Sequence, residues 1–93
     1  MISFVIKKDG AREPFDPEKI KRGIRAATRQ VNLPEARTAA VVEQVFAQVL
    51  QFFGAREEVP TLEIRDQILN QLDVVEPRAS AAWREHDQKK HQA

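Results

Sequence analysis

Cysteine is absent from this chain. That excludes disulfides, cysteine-ligated zinc or iron–sulfur sites, and thiol or thiyl-radical catalysis within these residues. Long apolar runs are absent too, so no segment reaches the roughly 20 residues of a membrane span. The N-terminus lacks a signal-peptide pattern, and a cytoplasmic location is the expectation. Glycine numbers only three, and neither a GxxxxGK[ST] phosphate loop nor a GxGxxG turn occurs. Ser3 and Ser80 sit in no nucleophile motif, and Glu57-Glu58 reads as a pair of loop solubilisers. His86 and His91 are five positions apart, a poor spacing for two ligands on one helix face. No enzymatic activity and no metal site are expected.

What is present describes one small globular domain. Hydrophobic residues are 42% and charged residues 31% of 93, too apolar for a disordered chain and enough for a modest core. Net charge is only +1, but it is unevenly spread. Residues 1–30 carry eight Lys/Arg and four acids, whereas residues 31–93 carry seven and ten. Cations concentrated in one third of a chain suit either a solvated face or an anion-binding region.

The order of elements can be read from pattern and punctuation. Residues 2–8 and 11–15 alternate as strands, with Ile2, Phe4 and Ile6 on the apolar face and Val5 with Lys7 on the other. Asp9-Gly10 between them predicts a tight hairpin. Asp16-Pro17 predicts a helix start, Asp as cap and Pro in the first turn. That helix runs to about Val31, with Ile20, Gly23, Ile24, Ala27 and Val31 at helical spacing. Gly23 permits close approach of a strand, a ligand or another helix. Pro34 opens a second helix to Phe53, whose stripe of Val41, Val42, Val45, Phe46, Val49, Leu50 and Phe53 predicts the centre of the core, and Gly54 caps it. Residues 57–60 form a connector with room for a short third strand. Thr61 predicts the cap of a third helix over 62–72, with Ile64, Ile68, Leu69 and Leu72 inward. Asp73-Val74-Val75-Glu76 has capping-box spacing and predicts a fourth helix from there to Asp87. The fold class is α+β and mostly helical: a four-helix bundle capped at one end by a small sheet that contains the hairpin. The domain is expected over residues 3–87, with 88–93 as a polar tail.

The exposed N–H groups and partial positive charge of a helix N-terminus, next to Lys7, Lys8, Arg12 and Lys19, form equipment for holding phosphate. The same residues carry a family resemblance. Val5-Ile6-Lys7-Lys8-Asp9-Gly10, Glu13-Pro14-Phe15-Asp16 and Lys19-Ile20 resemble the opening of the ATP-cone domain. Val59-Pro60-Thr61-Leu62-Glu63-Ile64 resembles the start of its third helix, and Arg78 with Trp83-Arg84 resembles its closing segment. That domain is a nucleotide-binding regulatory module of ribonucleotide reductases and of the transcriptional repressor of their genes. The repressor's cysteine-bound zinc ribbon is not in this chain.

The resemblance implies ATP or dATP as an allosteric ligand, with Mg²⁺ assisting and no hydrolysis. It implies phosphate contacts from Lys7, Lys8 and Lys19, and purine contacts from Val5, Phe15 and Ile20. Glu13 would orient the nucleotide or steer a lysine, and Thr61 and Arg65 would contact the ligand from the third helix. Where the family often has Lys-Arg, this chain has Lys7-Lys8; where it has aromatics, this chain has Glu76 and Ala79. The partner implied is a reductase subunit or a second copy, and the chain reads equally as a stand-alone cone or the N-terminal piece of a larger protein. Nucleic acid and membrane are not expected partners. Two other readings stand beside it: a small nucleic-acid-binding domain using the basic first helix, and a degenerate cone that serves only protein contacts.

Overall fold

The computed structural model describes the backbone of residues 1–91 and the side chains of 1–89. Its elements are β1 (Phe4–Ile6), β2 (Arg12–Pro14), α1 (Pro17–Gln30), α2 (Glu35–Phe53), β3 (Glu58–Pro60), α3 (Thr61–Val75) and α4 (Pro77–His91). Each helix packs on its sequence neighbour, and α4 closes the ring against α1. The predicted apolar stripes meet inside: Ile24, Val41, Val42, Val45, Val49, Ile68 and Leu72 are all buried. No helix among the described residues is long and apolar enough to cross a membrane.

The third strand exists and completes the cap. Sheet order is β2-β1-β3, with β1 antiparallel to β2 and parallel to β3. Val5 aligns with Val59, and Val59 is fully buried, so this pair forms the underside of the sheet against the bundle. The inward face is therefore that of Val5 and Lys7. It is not that of Phe4 and Ile6, which alternation alone had marked as the apolar one. Phe4 is instead covered from outside by the Arg12 guanidinium, 3.8 Å from its ring centre.

The hairpin is one residue longer than Asp9-Gly10 suggested. Lys7 N–H donates to the Ala11 carbonyl at 2.8 Å, and Gly10 N–H donates to the Lys7 carbonyl at 2.8 Å. This leaves Lys8, Asp9 and Gly10 as a three-residue loop with Gly10 at φ +89°. Such loops place a left-handed residue last, and only glycine adopts that conformation without strain. The Asp9 carboxylate accepts the Ala11 N–H at 2.9 Å and fixes the turn.

Helix ends differ from expectation in four places. Pro34 and Pro60 are themselves the residues preceding α2 and α3, and neither helix has a side-chain cap. Thr61 is the first residue of α3 and does not cap it. Asp73 does not open α4 either: α3 continues to Val75, and α4 starts at Pro77. A proline suits a first helical position and disfavours helix in the residue before it, so Pro77 sets the break at Glu76. The fourth helix also extends past Asp87 to His91, so most of the expected tail is helical; positions 92–93 of that tail, and the side chain of His91, lie outside the described residues.

Freed from capping, Asp73 ties α3 to α4. It accepts from the buried Ser80 hydroxyl and from Arg84, whose Nη1 and Nη2 lie 2.9 and 3.1 Å from its two oxygens. Arg84, then Ser80, hold the Asp73 carboxyl down from 3.8 to about 2. A depressed carboxylate pKa contributes stability that is present above the unfolded value and lost as pH falls through the folded one. Because the pair is solvent-exposed, its contribution is small. Urea unfolding should thus show Asp73→Asn less stable than wild type near neutral pH, with the gap closing between about pH 4 and pH 2. An equal gap at both ends would assign the loss to packing.

Candidate functional site

A cavity of about 810 Å³ lies between the sheet, α1, α3 and α4, within the usual size range of small-molecule sites. Val5, Phe15, Ile20, Ile64, Ile68 and Trp83 contribute its apolar wall. Its polar side chains include Lys7, Glu13, Lys19, Thr61, Arg65 and Asp87. They converge because α1 follows directly on β2 and α3 follows directly on β3, so the first turns of both helices start beneath the sheet.

Most of these charges are already paired. Lys7 Nζ lies 3.5 Å from Glu13 Oε1 across the hairpin. Arg65 donates through Nε to Asp87 on α4, and its Nη1 lies 3.4 Å from Asp66. Lys19 forms no salt bridge among the described residues. The N-terminus of α1 is also engaged: Asp16 Oδ1 accepts the Glu18 N–H at 3.1 Å, and the Asp16 carbonyl accepts the Lys19 N–H at 3.2 Å. Asp16 is thus the predicted cap, but it occupies donors that the sequence had offered to a phosphate. Among the described residues no three His, Asp or Glu groups converge into a metal site.

Of the residues expected to contact a ligand, Val5, Lys7, Glu13, Phe15, Lys19, Ile20, Thr61 and Arg65 all line this cavity. Lys8 does not; it is exposed in the hairpin loop. The sequence reading missed Gln30, Leu62, His86 and Asp87 on the lining, and it placed Trp83 simply in the core. Trp83 is half-buried and packs edge-on against α1, where a Cβ on Gly23 would stand 2.9 Å from its ring. Gly23 thereby admits an indole from another helix. His86 and Asp87 follow Trp83 by three and four positions, so helical spacing from Trp83 was the signal that could have found them.

The comparison that decides the family is a match of the ATP cone domain model to residues 3–90. The chain belongs to the ATP-cone family. Relatives of this ATP cone include proteins named transcriptional repressor NrdR. That from Bdellovibrio bacteriovorus is 34% identical over 85 residues, covering 87% of this chain and 43% of the relative. Those from Roseiflexus sp. and Microcystis aeruginosa are 34% and 38% identical, covering 77% and 73% of this chain and 46% and 39% of their own lengths. The ATP cone thus spans less than half the length of these relatives. Their names describe repressors and not enzymes, and family membership supports a nucleotide-binding regulatory role for this cone.

Proposed function

We propose that this chain is a regulatory module that binds ATP or dATP, as the Mg²⁺ complex, without hydrolysing it. The observation that carries this reading is the convergence of eight residues, which the family resemblance marks as ligand contacts, on one cavity of nucleotide size. Lys7, Lys19 and Arg65 meet the phosphates, Arg65 with a planar fork that suits them. Val5, Phe15 and Ile20 meet the base. Glu13 acts on Lys7, from which it is 3.5 Å away, and Thr61 supplies a hydroxyl at the start of α3. Mg²⁺ arrives with the phosphates and needs few protein ligands, in keeping with its reluctance to shed water. The chain has no GxxxxGK[ST] loop to clamp a transferring phosphoryl group, which supports binding without hydrolysis.

The liganded and empty states would differ in how the cone docks onto a reductase subunit, onto a second copy, or within a longer repressor-like protein. That is allostery where the partner discriminates between the two states. A cytoplasmic setting goes with this reading. Nucleic acid remains a partner for proteins of the repressors' length. For this cone the direct contact is disfavoured, because Lys21, Arg22 and Arg29 of α1 each face a carboxylate.

Thermal melting with ATP, dATP and adenosine tests the reading. A ligand that binds only the native state stabilises it by about 2.7 kcal/mol at a hundredfold excess over Kd. In a domain of this length that raises Tm by roughly 10 °C or more. No shift at millimolar ATP, in folded protein freed of nucleotide, sinks it and leaves the protein-contact reading. Calorimetry with short duplex DNA covers the remaining one.

A further inference from the structure

We propose that Asp87 is a releasable counter-ion of Arg65, and that a nucleotide phosphate and the Asp87 carboxylate exchange on the same guanidinium. This rests on the nucleotide reading above and adds a residue, and a consequence for α4, that the reading lacks.

The charge balance of the cavity motivates it. Lys7, Lys19 and Arg65 line it together with Glu13, Asp16 and Asp87, so its cations and carboxylates cancel. A polyanion entering such a site is held more strongly if a carboxylate gives way. Glu13 and Asp16 have side chains 45% and 55% exposed, so water and salt screen them. Asp16 is moreover committed to capping α1. Asp87 is the most enclosed of the three, at 21%, and it occupies the Nε end of Arg65. A bidentate phosphate using the Nε and Nη2 edge needs that same position. Exchange therefore frees a planar fork and removes the least screened negative charge from the cavity in one step.

The exchange has a mechanical consequence. Among the described residues, two polar ties hold α4 to α3: Asp73 with Ser80 and Arg84 near its start, and Arg65 with Asp87 further along. The first does not line the cavity and persists. Loss of the second leaves α4 anchored at its beginning and released beyond Arg84, so ligand occupancy is passed to the C-terminal half of that helix.

Calorimetry with Mg-ATP and with adenosine, on wild type, Asp87→Asn, Arg65→Gln and the double variant, tests the exchange. Asp87→Asn should bind ATP about fivefold more tightly, the size that removal of a partly exposed ion pair supports. Adenosine affinity should not change. Arg65→Gln should weaken ATP about tenfold, and in that background Asp87→Asn should bring no gain. Amide exchange over residues 84–89 should quicken in wild type when ATP binds and be fast already in Asp87→Asn. Asp87→Ser repeats the test with a different shape. ATP affinity unchanged or reduced in the Asp87 variants overturns the proposal, since Asp87 is then a strut or a metal contact. So does an equal gain in both backgrounds, which is long-range charge alone, or ATP-induced slowing of exchange in 84–89. Wild type that binds no ATP removes the nucleotide reading itself, whereas wild type that binds with a flat cycle removes only the exchange.

Discussion

Replacing Lys7 and Lys19 together with alanine should remove most of the ATP affinity and leave the fold in place. Both lysines line the cavity and both are exposed, so neither carries the core. A hydrogen bond to a charged group contributes about 1.5–3 kcal/mol, so losing two weakens binding by roughly two to four orders of magnitude. Adenosine, which lacks phosphate, should bind the variant nearly as it binds wild type. Lys8→Ala is the internal control and should change affinity only by a small, salt-dependent amount. β1 ends at Ile6 and the chain then enters the loop, so Lys7 lines the cavity and its neighbour does not. Titration at two salt concentrations, with circular dichroism for the fold, decides it. Equal affinity of wild type and the double variant would move the phosphate site away from this end of the bundle.

Leu72→Ala should be the most damaging single core change for stability. Leu72 is fully buried where α3 meets the rest of the bundle. Truncating such a leucine costs about 2–5 kcal/mol, transfer and cavity together. A domain of this size has only about 5–15 kcal/mol in all. Tm should fall by roughly 10–30 °C. Saturating ATP should restore part of the loss, because the ligand binds only the folded form. A melting point within a few degrees of wild type would show that the bundle relaxes around the deletion.

The helices were legible because their apolar residues recur at helical spacing and have few competitors for the core. Ile64, Ile68, Leu69 and Leu72 all point inward as that spacing requires. The junction of α3 and α4 was not legible. Asp73-Val74-Val75-Glu76 fits a capping box, but the Asp73 carboxylate has better partners in Ser80 and Arg84, seven and eleven positions away, which local spacing does not reveal. The sheet misled for a related reason. Three-residue strands carry too few alternations to say which face is inside, and the burial of Val59 settles that Val5 faces the bundle. For the candidate site, the opening residues carried the family signal, and all but Lys8 of those read as ligand contacts line the cavity. The contribution of α4 was not visible, since Trp83, His86 and Asp87 read alone as a core aromatic, a solvated histidine and a helix-terminal acid.

The parallel pairing of β1 with β3 has a consequence for how the molecule is made. β1 is the middle strand, yet its partner on one side is synthesised only after α1 and α2. On the ribosome the hairpin and the first helix pair can form from near neighbours, while the roof over the cavity waits for Val59 to return to Val5. Contacts between such distant parts of a chain form late, because loop closure must precede any reward from them. The cavity is thus among the last features to be assembled, and it is incomplete on a nascent chain until α3 and α4 have followed. A ligand of this cavity would not guide the early steps of folding; it would retain the molecules that have completed them.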